Sequence, residues 1–239
     1  MRENCIMDFL KELERNNDLK WMADHKAFKE QAAAEFEELL QMVMERLAEK
    51  DPSVIGLPPK NLIYRLNRDT RFRRDKSPYH ARFSRDKSPY HAAFRAHISP
   101  AGRAPIPGGY YLNLAPGNVF LGGGVHAAPF KDAVTMIRDY ICGHGEELET
   151  IVSAPDFQNH FTMTGERLKN VPRGYDADFP QSEYLKYKSW DIECRLETEG
   201  LCDLEDFCER ASELFLLMRP FNDYFNEAVR NFQYPVREN

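Results

Sequence analysis

Gly109-Tyr110-Tyr111-Leu112-Asn113-Leu114, then Ala115-Pro116-Gly117, then Asn118-Val119-Phe120-Leu121: two runs of aliphatic and aromatic residues around a Pro-Gly turn read as a β-hairpin. Upstream, residues 91–98 alternate weakly and end at the turn signal Ser99-Pro100-Ala101-Gly102, and residues 61–67 read as another short strand. Far downstream, Trp190-Asp191-Ile192-Glu193-Cys194-Arg195-Leu196 alternates cleanly and predicts one more. Short strands joined by short turns make an antiparallel sheet, with a mixed sheet as the variant.

Helical periodicity takes over on both sides of the strand-rich middle. Phe9, Leu10 and Leu13 form one apolar face before Asn16-Asn17, and a longer stripe runs from Phe28 through Phe36, Leu40 and Leu47. Asp24 is the expected N-cap of that long helix, and Asp51-Pro52 its stop. Trp21 is expected to pack between the two. After Pro129 a stripe of Val134, Ile137 and Ile141 ends at Gly143, with a second helical piece over 146–152. Residues 155–189 read as irregular and charged, with short helical stretches. Two terminal helices are predicted, separated at Pro220. The expectation is a single α+β domain over 1–239: N-terminal helices 6–50, a central sheet 60–125, helices 130–153, a strand 190–197 and C-terminal helices 203–232. No linker rich in Gly, Ser or Pro divides it.

At 42% hydrophobic residues the chain can bury a substantial core. Its apolar runs are far shorter than the ~20 residues that cross a bilayer, and no signal-peptide stretch opens it, so the expected location is cytoplasmic, without membrane partners. The five cysteines contain no C-x-x-C pair and read as reduced thiols.

The net charge of −6 is unevenly spread. Between Lys60 and Arg103 twelve Lys and Arg face three acids, a local balance of +9 that leaves −15 for the remainder. A basic stretch so concentrated points to an anionic partner, or to pairing with the chain's own acidic helices.

Within that stretch an 11-residue segment is written twice. Residues 71–81, Arg-Phe-Arg-Arg-Asp-Lys-Ser-Pro-Tyr-His-Ala, are followed at once by residues 82–92, and the copies differ only at Arg73 against Ser84. Two units this short are a local tandem duplication and not a solenoid. Strand side chains alternate with period two, so an odd shift of eleven sends each to the opposite face. Two equivalent working copies are therefore not expected. The first is in frame with Arg65, Arg68 and Asp69, the second with the strand around Phe94.

The run Arg65-x-x-Arg68-Asp69-x-Arg71-Phe72, followed by Asp75-Lys76-x-Pro78-Tyr79, resembles the signature of a bacterial and fungal family, the domain of unknown function 2461 family. Gly108-Gly109-Tyr110-Tyr111-Leu112, Phe120-Leu121-Gly122-Gly123-Gly124 and Val171-Pro172-Arg173-Gly174-Tyr175-Asp176 are similar to the same family. With the early Phe9-Leu10 and Asn16-Asn17…Trp21 region, which is similar too, these cover nearly the whole chain. The second copy is closer to the family's usual wording than the first. The resemblance implies membership and length; it implies no activity and no particular cofactor.

The chemistry is read from the side chains themselves. Arg65, Arg68, Arg71, Lys76, Tyr79, Arg85, Lys87 and Tyr90 supply donors suited to phosphate or carboxylate. Asp69, between Arg68 and Arg71, is held ionised by those cations and is suited to accept hydrogen bonds. Asp69, Lys87 and Tyr90 are the candidates if the site does acid–base chemistry, which requires burial to move the Lys and Tyr pKa values. The best-supported expectation is a ligand-binding domain, enzymatic or not, for a small phosphorylated or carboxylated molecule. The alternatives are a nucleic-acid module using the basic-aromatic stretch 65–95, disfavoured by the overall acidity, and an interaction protein whose cluster is a structural salt-bridge network. Gly122-Gly123-Gly124 ahead of His126 lacks P-loop spacing and reads first as a tight backbone contact. His91 and His97 would share a strand face but have no third ligand, so no metal site is assigned.

Overall fold

Tyr110–Leu114 (β2) and Val119–Val125 (β3) form the expected hairpin, pairing antiparallel with Leu112 opposite Leu121. Phe94–Ile98 (β1) adds to β2 with His97 opposite Tyr111 and Arg95 opposite Asn113. Trp190–Leu196 (β5) and the two-residue Thr162–Met163 (β4) complete a five-stranded antiparallel sheet in the order β1-β2-β3-β5-β4. The structure, a computed structural model, describes residues 5–68, 88–197 and 203–235. The fold is α+β with flanking helices, eight of them among the described residues.

By its contacts the chain divides into two compact units. The first comprises residues 1–103, 110–122 and 194–216. Here Cys5–Arg15 (α1), Leu19–Asp24 (α2) and Lys26–Ala48 (α3) bury Phe9, Leu10, Phe36, Leu40 and Val43. Phe94 of β1 meets Phe36 at 5.1 Å and Phe9 at 5.9 Å, so Phe94, Ala96 and Ile98 point toward the helices. Each such aromatic or aliphatic side chain contributes roughly 1.5–3 kcal/mol by leaving water. Trp21 packs against Phe9 at 6.1 Å and stacks on His25 at 4.2 Å. Asp24 does not cap the long helix. It ends α2, whose own N-cap is Asp18, its side chain accepting from the Trp21 backbone N–H at 2.9 Å, and His25 stands at the N-cap position of α3.

The second unit comprises residues 104–109, 123–193 and 217–239. It contains Lys131–Ser153 (α5), Pro155–His160 (α6), β4 and Ser182–Leu185 (α7). The predicted break after Gly143 is a kink at His144, whose φ of −133° is not helical. Trp190 and Phe225 pack at 5.7 Å at its centre.

Two predicted elements differ. Residues 61–67 are not a strand: Pro59–Leu62 forms a short helix (α4), followed by an extended run tied at two isolated bridges, Ile63 to Ala96 and Asn67 to Tyr90. Pro59 sits in the first helical turn, where its fixed φ favours helix and its missing N–H is not needed. The terminal helices are one, Leu204–Ala228 (α8), continuous through Pro220. A proline inside a helix costs about 3 kcal/mol, but Met218, Phe221 and Phe225 carry the apolar stripe across it and are fully buried.

Candidate functional site

Residues 66–68 lie alongside residues 88–91, the end of the second copy of the duplicated segment. The Arg68 N–H donates to the Pro89 carbonyl at 2.8 Å and the His91 N–H to the Leu66 carbonyl at 2.7 Å. Asn17, from the break between α1 and α2, clamps the backbone of Tyr90 from both sides. Its amide donates to the Tyr90 carbonyl at 3.0 Å and its carbonyl oxygen accepts the Tyr90 N–H at 3.1 Å. On this frame the half-buried Arg68 guanidinium donates through Nε to His91 Nδ1 at 3.2 Å and through Nη1 to Ser88 Oγ at 3.0 Å. An arginine is only a donor, so His91 Nδ1 accepts here, which assigns its proton to Nε2.

Beside this lies the β1–β2 face turned away from the helices. Arg95 and His97 alternate with the apolar residues of β1, and across the register stand Asn113 and Tyr111. All four are buried, Arg95 to 3% exposure and His97 to 6%. The Arg95 guanidinium sits 5.5 Å from the centre of the Tyr64 ring, a cation–π arrangement, and Tyr64 packs on Tyr111 at 5.9 Å. The backbone joins the same residues, since Tyr64 N–H donates to the Arg95 carbonyl at 2.9 Å. One segment, residues 64–68, thus meets Arg95 through Tyr64 and the buried His91 through Arg68. A face this polar and this buried is uncommon, because polar groups leave water at a cost.

Of the residues expected at the site, Arg68 and Tyr90 are brought together on the two paired segments, Tyr90 with a buried ring. Arg65 is three residues from Arg68 but exposed, and it joins neither Ser88 nor His91. Asp69, Arg71, Lys76, Tyr79, Arg85 and Lys87 lie outside the described residues, as does the whole first copy. His91 and His97 do not share a strand: His91 precedes β1 and is bonded to Arg68, whereas His97 lies within β1. Among the described residues no group of three or more His, Cys, Asp and Glu could hold a metal ion.

Arg95, Tyr111 and Asn113 were not singled out as site residues from the sequence, and His97 was weighed only beside His91 as a metal ligand. Their signal was the period-two spacing of polar residues in two otherwise apolar strands. Both strands are buried at every position, so alternation alone does not separate a polar buried face from a solvated one. In the same unit Tyr110 donates to Asp51 at 2.5 Å, and Asp51 also accepts the Ser53 N–H. The aspartate expected to stop α3 therefore also anchors β2.

The glycine run behaves as a tight contact. A Cβ on Gly124 would stand 1.9 Å from the Trp190 carbonyl oxygen, and one on Gly123 2.9 Å from Asn222 Oδ1. Asn222 Oδ1 accepts the Gly124 N–H at 2.6 Å, while its amide donates to the Gly109 carbonyl at 3.2 Å. The second unit also has a cavity of about 460 Å³ whose lining includes Tyr140, Glu147, Asp223, Tyr224 and Glu227. Its acidic rim is unsuited to anions and holds none of the residues predicted for the site.

Among the described residues no helix is long and apolar enough to cross a membrane. The model of the family described as Conserved hypothetical protein (DUF2461) matches residues 5–81 and 80–224. The chain belongs to this family. The two matched pieces meet at the junction of the duplicated copies. Comparison with curated proteins and with solved structures gave no match.

Proposed function

We propose that the first unit binds the phosphate or carboxylate group of a small molecule. Arg68 is the principal contact, and Arg95 and His97 supply further positive and donor character from the sheet face. What carries the reading is the manner in which Arg68 is held. Its Nε donates to His91 and its Nη1 to Ser88, bonds that fix the plane and direction of a guanidinium fork whose geometry suits phosphate and carboxylate. Support comes also from the local balance of +9 between Lys60 and Arg103 in a chain of net charge −6. The second copy of the duplication furnishes the supporting residues Ser88, Tyr90 and His91.

Thermal unfolding with inorganic phosphate, nucleotides and sugar phosphates tests this. A ligand that binds the folded chain at a hundred times its Kd stabilises by about 2.7 kcal/mol, a shift that is easily read. The expected result is saturable stabilisation by at least one phosphorylated compound, lost in Arg68→Ala. No shift with any anion would remove the proposal. Binding of oligonucleotides that weakens steeply with salt, without binding of small anions, would replace it by the nucleic-acid reading.

A further inference from the structure

Outside the basic stretch, one polar pair in the second unit has no role in the anion site. His126 follows β3 directly, and Asp191 is the second residue of β5. His126 Nδ1 lies 3.1 Å from Asp191 Oδ2. The aspartate side chain is 7% exposed and its other oxygen, Oδ1, is buried without a hydrogen-bond partner, whereas the histidine side chain keeps 20% of its surface. A carboxylate accepts, so Nδ1 carries the shared proton and the lone pair is at Nε2. Among the described residues that nitrogen has no hydrogen-bond partner, and it is not among the buried atoms lacking one.

We infer that His126 and Asp191 form a proton-transfer dyad, in which His126 Nε2 activates water against an uncharged ester and Asp191 positions the imidazole and stabilises its charged form. The direction of the arrangement supports this. An inner carboxylate, a bridging Nδ1–H and an outward Nε2 lone pair make the orienter–base pair of general-base hydrolysis. Burial pushes the Asp191 carboxyl upward and the bond to His126 opposes it, so this carboxylate depends on His126 for compensation. It gains most when the imidazole takes up a proton. The residues beside the pair in sequence bear on the substrate class. Val125, Ala127 and Ala128 flank His126, and Ser189, Trp190 and Ile192 flank Asp191; all are uncharged. An anionic substrate would meet a buried carboxylate with no cation among these neighbours.

The step balances without a further reactant. Water gives a proton to Nε2 as its oxygen bonds to the ester carbonyl carbon. The bond from that carbon to the alcohol oxygen then breaks, and the proton on Nε2 leaves with the alcohol. One ester and one water become one acid and one alcohol, and the imidazole is restored.

The full chain with p-nitrophenyl acetate as probe tests the dyad. The expected result is a protein-dependent rate that falls at least about a hundredfold in His126→Gln, the lower range of general-base contributions. Asp191→Asn is expected to lower kcat by at least about tenfold with KM unchanged, a split that loss of a merely structural contact would not give. His160→Gln, an exposed histidine bonded only to its own helix, is the control expected to leave the rate unchanged. No rate above buffer, a rate retained in His126→Gln, or kcat unaffected in Asp191→Asn would overturn the inference. Should His126→Gln fail to fold, carbethoxylation of the native chain decides. Inactivation that follows modification of His126 supports the dyad, and a rate that persists after His126 is modified, or a His126 that does not react, overturns it.

Discussion

At the scale of single residues, environment and not residue type assigns the roles. Arg65 and Arg68 are three apart in a basic run, yet only Arg68 is held by a serine and a histidine, while Arg65 stands in water. Tyrosines make the same point in a form that pH can read. Tyr175 donates to Asp139 at 2.8 Å, and burial together with that carboxylate pushes its phenol up to about 12. Below pH 10 the phenol is neutral in the folded and the unfolded chain and contributes no pH dependence. As pH rises above 10 the unfolded phenol ionises first, so stability falls through the window up to about 12. Burial shifts Tyr184 and Tyr224 upward too, and they share that slope. The expected outcome is that Tyr175→Phe unfolds with a shallower loss of stability between pH 10 and 12, measured by denaturant melts at each pH. An unchanged slope would contradict the assignment.

At the scale of elements, the end of β3 shows why a glycine run need not bind phosphate. Gly124 has φ of +97° and presses on the Trp190 backbone, a position at which neither the conformation nor the space admits a side chain. Gly143, within α5, has open space where a Cβ would stand. The two therefore respond oppositely to alanine. Gly124→Ala is expected to lose at least ~3 kcal/mol or to fail to fold, through overpacking together with backbone strain. Gly143→Ala is expected to gain about 0.5–1 kcal/mol by lowering the entropy of the unfolded chain. Urea titration of both variants checks the pair, and similar effects of the two substitutions would refute the argument.

At the scale of the whole molecule, the duplication is the unusual feature. The paired segments 66–68 and 88–91 are separated in sequence by residues 69–87, and the family model is satisfied by pieces that meet between the copies. Deleting residues 72–82 removes one copy and preserves both paired segments. Loop-closure entropy varies as (3/2)RT ln n, so shortening the connection from nineteen residues to eight alters stability by only about 0.8 kcal/mol. The deletion variant is expected to fold, to melt within a few degrees of the parent and to keep its response to phosphate compounds. Loss of folding would show that both copies are needed.

Much of this molecule was determined by local pattern. The hairpin over 110–121, the stripes of α1, α3 and α5, the strand at 190–196 and the concentration of cations between 60 and 103 are all properties of neighbouring residues, and period and turn chemistry expose them directly. The glycine run and the hairpin also carried the family resemblance. Other features arise only when distant segments meet. Pairing of 66–68 with 88–91 made Arg68 a fixed group and placed the second copy's residues beside it. Tyr64 against Arg95 turned one face of β1 into a polar layer, although both faces are buried and alternation could not show it. Asp191 looked like one polar residue in an alternating strand until His126, 65 positions away, was set against it. Sequence patterns report what an element buries, whereas the partner of a buried charge is chosen by the chain's return path. Period cannot express that contact, and the functional proposals rest on it.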